Sequence, residues 1–216
     1  SERLNIDPSK IEVMVPLAVP APRGNPSQAE LEHVRRKYAL PEHFILMIGT
    51  VEPRHNHQAV FAALADAASP AGVVVCGRRT AWSDYLLGYA RARRIAARVD
   101  FIYELTPSDL PALFRLARVF AYLPDADAEA SVVPVVEALR AGLPMVLSDT
   151  QVNREAAGEA AAYVRPEARG EVLAALENAL EDVSWRRTMQ ERERRRAELF
   201  SEYAVAERLM QIYTSL

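Results

Sequence analysis

Short apolar runs alternate along most of this chain with longer segments of helical periodicity. Runs at 11–15, 44–48, 72–76, 99–103, 119–123, 144–147 and 161–164 are built from Val, Ile, Leu and Phe without polar alternation. That texture belongs to strands covered on both faces. Between and after them, apolar residues recur at helical spacing near 27–38, 57–68, 83–98, 108–117, 132–141, 151–156, 170–180, 185–200 and 204–213. Cap chemistry marks several starts. Ser27 with Glu30 three residues on has the form of a capping box, Thr106-Pro107-Ser108-Asp109 opens the segment that ends near Ala117, and Asn56 stands where a cap would precede the segment at 57–68. Repeated strand–helix alternation predicts an α/β domain: a doubly wound, mostly parallel sheet with helices on both faces and right-handed crossovers, Rossmann-like in architecture.

The pattern organises the chain into three parts. Residues 1–25 are punctuated by Pro8, Pro16, Pro20 and Pro22, and Arg23-Gly24-Asn25-Pro26 is a turn signal. They read as a linker or first strand with an inter-domain connection, as if arriving from a missing domain. Residues 26–200 form the Rossmann-like domain, and 201–216 a C-terminal helix. A chain of 216 residues, 50% of them hydrophobic, is long enough for one domain with a sizeable core. The net charge of −3 gives no reason to expect nucleic acid as a partner. No apolar stretch approaches the ~20 residues of a membrane helix, and the polar start shows no signal peptide, so no transmembrane segment and a cytoplasmic location are expected. The one cysteine, Cys76, sits in the run Val73-Val74-Val75-Cys76 and reads as a buried core thiol.

In an open parallel sheet, ligands lie beyond the carboxyl ends of the strands, near the reversal in strand order. Three loops should converge there: residues 49–56, residues 77–80 and residues 124–133. The third contains Glu129 and leads to Glu137, eight positions apart, with Pro134 where a helix begins. Strand, polar loop and helix start form a setting suited to anions. Glu137 reads either as a ligand-binding acid or as a first-turn acid offsetting the helix dipole. Its neighbours Val132, Val135, Val136 and Leu139 make a buried stripe that leaves it off the apolar face. Glu129 reads equally as part of a solvated acidic loop with Asp125 and Asp127.

These segments resemble the group 1 retaining glycosyltransferases of GT-B architecture, specifically their C-terminal donor-binding domain. Residues 48–56 (IGTVEPRHN) are similar to that family's "VGTLEPRKN", 109–117 to "ELPALYRxA", 129–137 to its E-x7-E motif, 141–149 to "CGVPVVASD" and 10–19 to "KIxVIPPGVD". The resemblance covers nearly the whole chain in order. It implies a domain that binds a nucleoside diphosphate sugar and helps transfer a hexose to an acceptor hydroxyl, as in bacterial polysaccharide or glycoconjugate synthesis. It needs no cofactor and no metal. Glu137 would accept hydrogen bonds from ribose hydroxyls and Glu129 would sit beside the transferred sugar as the catalytic acid. Gly49, Thr50, Arg54 and Arg78 would line the crevice, and the backbone amides of Val132 and Val133 would face the diphosphate. The acceptor site would lie on an N-terminal domain absent from this chain, so the chain alone is expected to be inactive.

Departures from the family pattern matter as well. His55 stands where the family has a basic residue, usually Lys, and is mostly neutral at pH 7. Ala130 and Val132 replace glycines, and a Val restricts φ to negative values. No glycine lies between Ile102 and Tyr103, in the loop expected to contact the base. Arg54 and Arg78 could supply the lost charge, or could be exposed solubilising residues. These changes motivate a second reading: a degenerate module serving as a scaffold or interaction domain without tight donor binding. His55, His57 and Glu52 invite a metal reading that their spacing does not favour. Glu191-Arg192-Glu193-Arg194-Arg195-Arg196 reads as the solvated face of a closing helix, with Trp185, Met189, Leu199 and Phe200 toward the core.

Overall fold

The computed structural model describes residues 25–126 and 132–214, together with Asp7, Lys10 and Ile11. The expected strand at 11–15, beyond Ile11, lies outside the described residues, as do Glu129 and Ala130. Six strands follow in chain order: β1 (Phe44–Ile48), β2 (Gly72–Cys76), β3 (Val99–Ile102), β4 (Val119–Tyr122), β5 (Met145–Ser148) and β6 (Ala162–Val164). They form one sheet in the order β3-β2-β1-β4-β5-β6, and every pairing is parallel. The helices are α1 (Gln28–Lys37), α2 (His57–Asp66), α3 (Ala81–Ala92), α4 (Leu110–Leu116), α5 (Val133–Ala141), α6 (Gln151–Ala157), α7 (Arg169–Glu181), α8 (Val183–Ala197) and α9 (Glu202–Thr214).

Alternate side chains of each strand enter different cores. Phe44, Leu46, Val74, Phe120, Tyr122, Met145 and Leu147 join one cluster with residues of α1, α4, α5 and α6. Ile45, Met47, Val73, Val75, Val119, Ala121 and Val146 join the other, with residues of α2, α3 and α7. Both faces are therefore apolar, as the unbroken strand runs predict. Cys76 is buried, and burial pushes its thiol up to about 11.

Local chemistry accounts for most helix ends. Ser27 and Glu30 form the capping box on α1. α3 begins earlier than its periodicity suggests, because Thr80 and Ser83 cap it reciprocally, and it gives way to a 3-10 turn at Ala96–Arg98. Thr106 supplies no cap. Pro107–Asp109 is a 3-10 turn, and the Asp109 carboxylate instead accepts from Lys37 Nζ at 2.7 Å and Tyr38 Oη at 2.9 Å, fastening α4 to α1.

The charged run at 191–196 corrects the sequence expectation. Glu193 is fully buried and Leu199 is 55% exposed, while Met189 and Phe200 are buried as expected. Several arginines of α8 fasten neighbouring helices. Arg186 donates to Ala179 O and Leu180 O at the end of α7. Arg196 donates to Ala156 O at 2.8 Å and to Glu155 O, and Arg192 to Glu159 O, around the end of α6. Cationic donors on the open carbonyls of a helix C-terminus satisfy groups the helix cannot, and they suit its dipole. Among the described residues, no helix is long and apolar enough to cross a membrane.

Glu193 has no hydrogen-bond partner for either carboxylate oxygen, and burial pushes it up to about 8 from the ordinary 4.5. The folded chain therefore holds this proton more tightly than the unfolded chain. The associated stability is complete below 4.5 and is lost as pH rises through about 8. Glu193→Met is expected to raise the melting temperature at about pH 9 and to change it little at about pH 4. Scanning calorimetry across pH checks this. A difference that does not grow with pH would mean that Glu193 is solvated or paired.

Candidate functional site

The order β3-β2-β1-β4-β5-β6 reverses between β1 and β4, so the crevice opens above the carboxyl ends of these two strands. The loops after β1 and β2 meet there at backbone contact. Gly49 N donates to Cys76 O and Val51 N to Arg78 O, at 3.0 and 3.1 Å, while Thr80 Oγ1 donates to Val51 O. A Cβ on Gly77 would lie 1.8 Å from Gly49 O, so only glycine lets the loops approach this closely. Gly49 has φ +143°, a conformation that favours glycine, and a Cβ there would press on the His55 ring at 3.3 Å.

His55 fills the space under this turn. It is 6% exposed, and its Nδ1 meets Thr50 O at 2.5 Å, so this nitrogen carries the proton. Its ring stands edge-on to His57, with centroids 6.0 Å apart. His57 is buried too. Desolvation, then the neighbouring His55, lowers it to about 4, which keeps it neutral near pH 7. Both histidines act as wedges beneath the first loop. Among the described residues, no group of three His, Cys, Asp or Glu side chains is placed to hold a metal.

Asn56 behaves differently from the expected side-chain cap. It has φ 51° and makes no capping hydrogen bond to α2. Its Nδ2 instead crosses to the third loop, donating to Leu123 O at 2.9 Å and Asp125 Oδ1 at 2.7 Å. Asp125 N donates back to Arg54 O at 2.8 Å. Deeper in that loop, Ser148 Oγ donates to Pro124 O, and buried Asn153 holds Ser148 in place. The three loops expected to converge are thus joined by named bonds.

Glu52 organises the charge on the rim. Arg54 Nε donates to its Oε2 at 2.6 Å, and the Arg78 guanidinium lies 3.9 Å from its Oε1. Hydrogen bonding from Arg54 holds the Glu52 carboxyl below its ordinary range. Both arginines named from sequence are therefore brought to one place. Arg78 retains 77% side-chain exposure. Glu52's part in this was not foreseen. Its position two residues before Arg54 was the available signal.

α5 follows the third loop in the chain. Its N-cap is Val132, with φ −93° and no side chain to cap the first turn. The amides of Val133 and its neighbours are of the kind an α-helix leaves without internal partners. The Val132 side chain is buried in the core cluster with Val135, Val136 and Leu139. Glu137 is half-buried, and desolvation raises it above the ordinary carboxylate range, opposed by Arg140. It is neither on the core face nor freely solvated.

A parallel sheet reversing beside β1, with loops tied together at the reversal, defines a doubly wound domain of the Rossmann kind. The chain belongs to the glycosyl transferases group 1, whose family description matches residues 30–196. It is 29% identical over 181 residues to O-antigen chain mannosyltransferase B of Escherichia coli, a match covering 81% of this chain and 47% of that protein. The fold is similar to that of WaaG, a glycosyltransferase involved in lipopolysaccharide biosynthesis, with a TM-score of 0.78 at 18% identity over 95% of this chain and 57% of that one. It is similar also to Anabaena HepE solved in complex with UDP and glucose, with a TM-score of 0.76 at 16% identity over 88% and 53% of the two chains. The chain spans about half the length of these relatives, as the 47%, 57% and 53% coverages state.

The contact between the first two loops gives a sharp test. Gly77→Ala is expected to destabilise the chain by about 3 kcal/mol, because the added methyl would collide with the Gly49 backbone. Urea unfolding of the variant measures this, and an unchanged midpoint would show that the loops are not in backbone contact.

Proposed function

We propose that this chain is the donor-binding domain of a retaining glycosyltransferase. It would transfer a hexose from a nucleoside diphosphate sugar to an acceptor hydroxyl, in bacterial polysaccharide or glycoconjugate synthesis in the cytoplasm. The observation that carries this reading is the joining of the first two loops beside the strand-order reversal, which gathers Arg54 and Arg78 on Glu52. Group 1 membership and the E-x7-E motif support it.

In this reading the bond from the anomeric carbon to the diphosphate oxygen breaks, and the leaving diphosphate takes the electron pair. The acceptor oxygen forms its bond on the same face of the sugar and gives up its proton. Charge developing on the diphosphate is met by the amides of Val132 and Val133 and by the guanidinium groups of Arg54 and Arg78. Gly49 and Thr50 form the turn beneath the phosphates, Glu137 accepts from the ribose hydroxyls, and Glu129 stands beside the transferred sugar. The acceptor site and the second wall of the cleft would come from the half of the relatives' length that this chain does not span. The chain alone would then bind donor without turning it over.

A second reading, a degenerate module acting as scaffold, has its own support. His55 is buried under the first loop, with its Nδ1 engaged by Thr50 O, and both crevice arginines already face Glu52.

Calorimetric titration with UDP, GDP, ADP and their sugars separates the two. The transferase reading expects binding by one nucleotide series, its loss in Glu137→Ala, and about a tenfold weakening in Arg78→Ala, as for a charge-assisted contact. It also expects a pH dependence. Glu137 accepts from two hydroxyls through both oxygens, and with charge assistance, only when ionised, and its titration is raised, so affinity should climb as pH rises through a range above the ordinary carboxylate value. Absence of binding at millimolar nucleotide would favour the scaffold.

A further inference from the structure

Beside the crevice, α2 lies recessed between α3 and α7. Ala59 and Ala62 give its outward side a low floor, with the Gln58 amide beside them, and the flanking helices enclose an open groove of about 500 Å³. That volume falls within the ~300–1,000 Å³ of small-ligand sites.

One wall is aromatic. Tyr85 and Tyr89 lie one turn apart on α3 with ring centroids 6.3 Å apart, and Trp82 stacks on Tyr85 at 4.0 Å. Tyr85 remains 47% exposed. The far end of this wall is Arg93, whose guanidinium lies over the Tyr89 ring at 5.1 Å. The opposite wall is polar, formed by Glu167 and Arg169. Charges on the lining cancel: Arg93 and Arg169 against Asp125 and Glu167. Arg169 is further paired with Asp66, and Asp125 accepts from Asn56. Such a lining gives a phosphorylated or polyanionic ligand no net attraction.

A pyranose ring suits these walls. One side of it is a sheet of C–H groups, which packs on the electron-rich face of an aromatic ring. Its rim of hydroxyls both donates and accepts, matching carboxylates and guanidinium groups across the groove. We infer that this groove binds a neutral oligosaccharide. Its mouth is formed by Asn56 and Asp125, the residues that tie the first and third crevice loops. A glycan lying in it would therefore present one end at the crevice. Saccharide binding stands on the groove alone, and the assignment of the bound glycan as acceptor or product rests on the transferase reading.

The test is calorimetric titration of the chain with mannose and glucose tri- and hexasaccharides as probes, with a parallel UDP titration. Trp82 emission is followed in a Trp185→Phe background. Saturable binding is expected, with a change in Trp82 emission. Tyr85→Ala or Tyr89→Ala should weaken it about tenfold, the contribution of one aromatic face. Ala59→Trp, which fills the groove from its floor, should abolish sugar binding while the melting transition and UDP binding persist. Absence of saccharide binding with UDP binding intact overturns the groove and leaves the transferase reading standing. Binding that survives Ala59→Trp places the sugar elsewhere and overturns it equally. Binding lost in these variants, in a chain that never binds UDP, upholds the groove and removes the transferase reading.

Discussion

The inner strands of this sheet must be covered on both faces, and the rest of the molecule follows from that requirement. Parallel pairing leaves only crossovers to join successive strands, and the crossovers are the helices that provide the cover. Successive residues of β1 therefore enter opposite cores, Phe44 and Leu46 on one side, Ile45 and Met47 on the other. The irregular backbone is displaced to the strand ends. Because the strand order reverses beside β1, the loops after β1, β2 and β4 gather on one edge. The location of the crevice is a consequence of burial, before any residue in it is considered.

Arginine closes the ends of the helical layers where apolar contact stops. Arg98 donates to Leu64 O, Ser69 O and Ala71 O, binding the end of α2 to the start of β2. Arg140 on α5 reaches Phe200 O, and Arg186 and Arg196 close α7 and α6. Each spans a length that a lysine's single ammonium would serve with fewer simultaneous bonds. This use explains why α8 can carry a long charged run and still pack: part of the run bonds to carbonyls instead of facing solvent. Glu193 is the counterexample within the same run. Buried without a partner, it opposes stability wherever it would ionise.

The sheet was legible because a strand covered on both faces is apolar at every position, and no other element of that length is. The boundaries of β1 and β2 could be read directly for this reason. Helix starts were legible where the cap is local, as with Ser27 and Glu30. The position of a cap was legible even where its side chain serves a distant partner, but that partner was not. Asn56 looks like a cap in sequence, but its amide binds Leu123 and Asp125, which lie far along the chain. Asp109 looks like first-turn chemistry, but binds Lys37 and Tyr38. The meeting of Arg54 and Arg78 on Glu52 was readable as two loop arginines and unreadable as a shared carboxylate. The aromatic wall of α3 was hidden in an ordinary helical pattern, because only the small residues on α2 turn it into a groove. Glu129, the more prominent of the two motif acids, lies outside the described residues, so it stands on resemblance alone.

The distribution of unfavourable features bears on the choice between an operating donor site and an abandoned one. Asn56 holds a left-handed backbone, at a cost smaller for Asn than for most residues. Gly49 occupies a conformation that side chains disfavour, the buried Nδ1 of His57 has no partner, and the first turn of α5 is left uncapped. All of these lie on the loops and helix starts that rim the crevice. Elsewhere α4 and α7 also begin without a side-chain cap, Ala39 and Arg94 also hold a left-handed backbone, and Glu193 is buried without a partner. Strained and unsatisfied groups persist where surrounding structure holds them, and they cluster where a ligand would complete them. Strain on the rim is shared with other faces, so nucleotide binding, and not strain, separates the two readings.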